Sequence, residues 1–147
     1  MAFFICPNCR QRAIDDDRRE GLSHQPVGCA SCGFGFLFEL LEDYYPRPGT
    51  GMVVCDRQVR VLAIGRGVFE LSGYQEADLL GREATSAFGL EGFDEQNPAE
   101  VAIEWGVRKL AQSLTLRTRS GGTRDVIVDF FPAYDRDGGL LIALASR

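Results

Sequence analysis

The chain reads as an α+β protein in two unequal parts: a small N-terminal unit clamped by cysteines, then a five-stranded antiparallel sheet with flanking helices. Three observations predict this. Cys6 and Cys9 are answered by Cys29 and Cys32, two C-x-x-C pairs near the N-terminus. Asn97 and Pro98 open a run with a strong helix start, Asn as N-cap and Pro in the first turn, with Glu100 at the capping-box position. Beyond it, Ser120-Gly121-Gly122 and Asp137-Gly138-Gly139 each separate two β-rich runs, the pattern of an antiparallel meander.

The bulk numbers narrow the function. Of 147 residues, 45% are hydrophobic and 25% charged, a globular composition. The net charge is −5, and Lys109 is the sole lysine, which argues against sequence-independent binding of nucleic acid. The opening "MAFFICPNC" has no basic n-region and too short an apolar run for a signal peptide. No window approaches the roughly 18 apolar residues of a membrane span. The expectation is a cytoplasmic protein with no membrane contact, and in a reducing compartment paired C-x-x-C motifs hold metal more often than they form disulfides.

The cysteine spacing is the strongest signal. Nineteen residues separate Cys9 from Cys29, close to the spacing of four-cysteine zinc sites. Thiolates two residues apart on a tight turn can face one ion, and tetrahedral zinc takes four ligands. Pro7 presets the first turn and Gly33 tolerates the cramped backbone after the second. The segment resembles a zinc ribbon over residues 1–34, with one structural zinc on Cys6, Cys9, Cys29 and Cys32. A dithiol redox pair is the alternative, and His24, the sole histidine, could replace one cysteine. So short a segment buries too little apolar surface to fold without metal. The run from Asp15 to Glu20 is expected to be a solvated hairpin tip. Residues 1–33 hold four arginines against four acids, so the ribbon is neutral.

Phe36, Leu37, Leu40, Leu41 and Tyr44 recur at helical spacing, with Glu39, Glu42 and Asp43 on the other side. This predicts an amphipathic helix over 35–46, ended by Pro46, Pro48 and Gly49, that joins the ribbon rigidly to the next part. Then "GMVVCD" and "QVRVLAI" read as strands broken at Asp56-Arg57, and "FELSGY" and "EADLLG" as short helices. The helix begun at Asn97 is expected to run through "NPAEVAIEWGVRKLA", with Ala99, Ala102, Ile103, Gly106, Val107 and Leu110 on one face. "SLTLRTR", "TRDVIVDFFPAY" and "GLLIALAS" complete the strands.

Two strands, short helices, one longer helix and three more strands is the element order of a PAS domain. The stretches "GVFELSGYQEADLLGR" and "LRTRSGGTRDVIVDFFPAYDRDGGLLIALAS" resemble that family over residues 47–147. One departure stands out: family members often carry Asn just after the second strand, where this chain has Gly65. The resemblance implies a sensor or dimerisation module, not an enzyme. Its flavin-adduct subclass needs a helical Asn-Cys-Arg motif, and its haem subclasses usually an axial histidine. Cys55, the one cysteine outside the ribbon, lies in the first strand of this part, and the part has no histidine. Neither haem nor flavin is expected. No nucleophile–base pair stands out, since Asp125 and Asp129 read as solvated acids on one strand face.

Phe69, Tyr74, Phe88, Ile103, Val107, Leu116, Val128 and Phe130 are candidates to line a pocket for a small apolar ligand, or simply to fill the core. In "RDVIVDFF", Val126, Val128 and Phe130 are assigned inward, which leaves Ile127 and Phe131 on the outer sheet face. With Phe36, Leu40, Leu41 and Trp105, which falls off the core stripe of its helix, they form a candidate interface. No effector segment follows the last strand as far as Arg147, so output is expected through the ribbon or a partner. The leading expectation is a non-enzymatic signalling or adaptor protein that contacts proteins, as a homodimer or with a partner. The alternatives are a transcription-associated ribbon that touches nucleic acid or RNA polymerase, and a thiol or zinc redox switch.

Overall fold

A computed structural model describes residues 2–9, 12–15, 32, 38–40, 46–132 and 139–147. It contains two antiparallel sheets. The small one has the order β2-β1-β3, from β1 (Ala2–Ile5), β2 (Arg12–Asp15) and β3 (Phe38–Leu40). The large one has the order β5-β4-β8-β7-β6, from β4 (Gly51–Cys55), β5 (Val61–Ile64), β6 (Lys109–Arg117), β7 (Thr123–Pro132) and β8 (Leu140–Ser146). Between β5 and β6 come α1 (Val68–Ser72), α2 (Glu76–Leu79), α3 (Ala84–Ala87) and α4 (Pro98–Trp105). This is the expected α+β class, a five-stranded antiparallel sheet with flanking helices.

The large sheet is buried on both faces at its centre. All five residues of β4 are buried, because alternate side chains go to opposite faces and each face has a cover. Val53 and Cys55 face the helices, with Val126, Val128, Phe130, Leu140, Ile142 and Leu144 from the neighbouring strands. Met52 and Val54 face the other way and pack with Ala63, Phe131, Leu141, Ala143 and Ile5. Ile5 comes from β1, so the N-terminal part covers part of the sheet's outer face.

Local chemistry sets the element ends. Asp56 closes the β4–β5 turn: its Oδ1 accepts from Gln58 N and Arg60 N at 2.9 and 2.8 Å, and its Oδ2 pairs with Arg60 Nε at 3.1 Å. Gln75 and Asp78 form a reciprocal capping box on α2. Asn97 caps α4 by accepting from Ala99 N at 2.9 Å, with Pro98 in the first turn, as the sequence predicts.

Two elements differ from the sequence reading. Residues 38–40 form a strand, not part of a helix over 35–46: Phe38, Glu39 and Leu40 pair with Ile5, Phe4 and Phe3. The segment carries both periods, since Phe38 and Leu40 also alternate around Glu39, and the open edge of β1 selects the extended one. Residues 41–45 and 35–37 lie outside the described residues. The second difference is at α4, which stops at Trp105 because Gly106 takes the left-handed conformation at φ 65°. The chain then joins β6 four residues earlier than "SLTLRTR" suggests, at Lys109. A bulge between Lys109 and Gln112 absorbs Ala111, at φ 55°, whose N–H donates to Asp129 Oδ1 at 2.7 Å.

Candidate metal centre

β1 runs straight into Cys6-Pro7-Asn8-Cys9. Cys6 and Pro7 are buried, while Asn8, Cys9 and Cys32 are half-buried. Cys9 N–H donates to Cys6 Sγ at 3.5 Å, which fixes the turn so that both sulfurs face one side. Cys32 approaches from the distant second motif, its Sγ 3.6 Å from that of Cys6. The sulfurs of Cys6, Cys9 and Cys32 all lie within 4.8 Å of one another, a group able to hold a metal ion. Four thiolates around one tetrahedral zinc, at about 2.3 Å each, stand about 3.8 Å apart, so the donor set and its spacing fit. Cys29 and His24 lie outside the described residues.

Burial pushes the Cys6 thiol up to about 12, against the pull of backbone N–H groups at Cys9 and Asn8. A buried thiolate needs a compensating cation, and a coordinating dication deprotonates such a thiol outright. Cys55 contrasts with it. Burial, then the charges of Asp56 and Glu83, hold its thiol far above the ordinary range. It sits in β4 among apolar neighbours, as packing.

The turn is seated on the large sheet. Asn8 uses both ends of its amide: Nδ2 donates to Cys32 Sγ at 3.5 Å, and Oδ1 accepts from Arg66 N at 3.1 Å. Gly65 lies beneath it, and a Cβ there would overlap the carbonyl oxygen of Pro7. A local cap from an Asn at position 65 is therefore absent, and Asn8 from the cysteine turn bonds the next N–H instead. Gly65 was the visible signal of this contact in the sequence, although nothing there named its partner.

The candidate pocket residues separate. Phe88, Leu116, Val128 and Phe130 are buried in the helix-side core, and Tyr74 meets Phe88 edge-on with ring centres 5.9 Å apart. Phe69 is 51% exposed, because α1 turns Val68, Leu71 and Ser72 inward and leaves Phe69 outside. Val107 is 44% exposed, because the helix expected to carry it inward ends before it. Ile103 is half-buried and lines an open cleft of about 840 Å³ with Val59, Leu90 and Phe93. Arg57, Arg117, Glu83, Glu91, Glu100 and Glu104 also line it. Its wall comes from segments far apart in the chain, which is why sequence reasoning missed it.

The candidate interface separates as well. Phe131 is only 2% exposed, covered by its own chain in the cluster with Ile5, so it is no exposed anchor. Ile127 beside it is half-buried. Trp105 is 68% exposed at the end of α4. Leu40 pairs with Phe3 in the small sheet, while Phe36 and Leu41 lie outside the described residues. No described helix is long and apolar enough to cross a membrane.

No family model matches the chain, and no curated protein matches it. Solved structures do match. One is the PAS domain of nitrogen regulation protein NR(II) from Vibrio parahaemolyticus, at 11% identity over 69% of this chain and 92% of that one, with a TM-score of 0.53. Another is the PAS domain of an HTR-like protein from Haloarcula marismortui, at 20% identity over 70% and 89%, with a TM-score of 0.53. A third is the light-state dimer of the fungal blue-light photoreceptor Vivid, at 11% identity over 71% and 81%, with a TM-score of 0.56. At these identities the likeness is one of fold, and the large sheet with its helices has the PAS fold.

Proposed function

We propose that the chain is a non-enzymatic signalling module: a PAS domain that acts through its surfaces, with a zinc-stapled N-terminal unit as docking element. One observation carries this reading. The cysteine turn is built into the PAS sheet through Asn8, Gly65 and Ile5, so two units expected from the sequence act as one body. Two further points support it. The helix-side core is filled by its own side chains, with Phe88, Phe130 and Leu116 fully buried, which favours contact at surfaces over an enclosed ligand. Among the described residues, the cysteine cluster is the one grouping of metal-ligating side chains.

In this reading Cys6, Cys9, Cys29 and Cys32 hold one zinc, which fills all four positions and leaves no open site for catalysis. The PAS part takes neither haem nor flavin. Its partner is a protein or a second copy, and the neutral ribbon disfavours nucleic acid. The test is native mass spectrometry of protein purified without added ligand, together with Cys29→Ser. Wild type is expected to carry one zinc and no organic cofactor. The variant is expected to lose the metal and the fold of the first segment while the PAS part stays folded. A metal-free but ordered N-terminal unit, or a retained haem or flavin, overturns the reading.

A further inference from the structure

We propose that the cysteine cluster is a metal-dependent latch on the PAS sheet. With metal bound, the Cys6-Pro7-Asn8-Cys9 turn is clamped at the β5–α1 junction and holds Ile5 over the sheet's outer face. Loss of metal releases that cover. This rests on the zinc reading above and names the regulation of that same site.

The argument begins at Gly65. Its φ is not in the left-handed region, so a side chain there meets no backbone penalty. Space is what forbids one, because the Pro7 carbonyl occupies the place of a Cβ. The Gly65 N–H donates to Met52 O at 2.8 Å, so this residue is also tied to β4. Met52 in turn places its side chain in the outer cluster with Ile5, Phe131 and Leu141. The next residue, Arg66, gives its N–H to Asn8 Oδ1, and the other end of that amide gives a hydrogen bond to Cys32 Sγ. A short path therefore runs from a ligand sulfur through Asn8 to the PAS backbone.

The energetics make that path a switch. β1, β2 and β3 have four, four and three residues, too little structure to persist without metal or the PAS sheet. Metal binding and docking therefore favour one another. By linkage, a metal that binds the docked form better stabilises docking, and docking tightens the metal by the same factor. When the metal leaves, the sulfurs of Cys6, Cys9 and Cys32 lose the ion that ties them together, and the turn keeps only Asn8 and the packing of Ile5. Release uncovers Met52, Val54, Phe131 and Leu141, an apolar face that the loaded protein hides.

The test uses the full chain, with zinc alone as ligand and a strong chelator to remove it. Two readouts follow: exchange of the Arg66 amide by NMR, and fluorescence of an apolar dye. Chelation is expected to speed Arg66 exchange by at least about tenfold and to raise dye binding, both reversed by zinc. Gly65→Ala is expected to show fast Arg66 exchange and dye binding with zinc still present at one per chain. Asn8→Ala is expected to do the same in weaker degree. Preserved signals of Phe88 and Phe130 would show that the PAS core stays folded throughout. If zinc binds at one per chain but its removal leaves Arg66 exchange and dye binding unchanged, the latch is wrong and the zinc reading stands. If no zinc binds, both fall.

Discussion

The two faces of the PAS sheet are built from the same strands but reach burial by different means. The helix-side face is closed by α1 to α4 and by long-range packing of Phe88, Leu116 and Phe130, all within the PAS part. The outer face is a smaller patch of Met52, Val54, Ala63, Phe131, Leu141 and Ala143, and it acquires Ile5 from a strand that leads directly into the cysteines. The first face depends on the hydrophobic effect alone. The second also includes a residue of the N-terminal unit, and on the proposed latch it depends on metal. If the latch holds, one sheet has a permanent face and a conditional one, and variants on the two faces should separate the two dependences.

The largest effect is expected on the permanent face. Phe130→Ala removes a fully buried ring from the helix-side core and should destabilise the PAS part by about 3–5 kcal/mol. Denaturant unfolding should show this as a fall in midpoint with unchanged slope, and by the same amount with zinc or with chelator. A zinc-dependent loss would mean that the two faces are not separable.

Ile5→Ala should cost less overall and act locally. The site loses a buried aliphatic side chain, and large-to-small changes of this kind cost about 2–5 kcal/mol where the surroundings cannot collapse. Here the low end, about 2 kcal/mol, is expected, because the released strand can move away. Hydrogen exchange should rise in β1 and its neighbour β3, while β7 and β8 keep their protection. A cooperative loss of the whole PAS sheet would show instead that Ile5 is part of one indivisible core.

Chemistry at the thiols gives a third separation. After chelation, the four proposed ligands Cys6, Cys9, Cys29 and Cys32 should react quickly with a thiol reagent, because release of the N-terminal unit exposes them. Cys55 should stay slow in both conditions, because burial and the nearby carboxylates of Asp56 and Glu83 keep it protonated. Mass spectrometry of the labelled peptides checks this, and rapid labelling of Cys55 in zinc-loaded protein would contradict its place in the permanent core.

The permanent face was largely legible in the sequence. The alternation of Val126, Val128 and Phe130 with Asp125, Ile127 and Asp129 fixes which side is apolar, and two glycine turns give the meander. The Asn97 cap and the cysteine pairs are short-range patterns with one physical meaning each. The rest was not legible. Phe38-Glu39-Leu40 fits a helix and a strand equally well, and the choice is made by the edge of β1. The stop at Gly106 depends on a backbone conformation that competes with a helical pattern continuing past it. Phe131 lies on the outer face, but it is buried in a cluster that includes Ile5, 126 residues away. The cleft likewise draws its wall from segments far apart in the chain, α3, α4 and β6 among them. Gly65 could be read as a departure from the family pattern, yet the reason for it is a carbonyl from another segment.

The smallest effect on folding is expected at an apolar residue that neither face covers. Trp105 ends α4 with its side chain 68% exposed, while Ala99 and Ala102 supply the helix's buried side. Most of its side chain faces solvent, so Trp105→Ser should change the unfolding free energy by no more than about 0.5 kcal/mol. Exposed tryptophans that anchor an interface behave differently in association, where truncation commonly costs about 2 kcal/mol or more. Val107 and Leu110, each 44% exposed, follow it closely in the chain. Sedimentation at high concentration is therefore the sharper measurement. If this end of the molecule carries the protein contact, wild type should sediment as a self-associating species and the variant should shift toward the monomer, with zinc content and Arg66 exchange unchanged. A wild type that stays monomeric would make Trp105 a rim residue, and a variant that loses zinc would tie this surface to the conditional face after all.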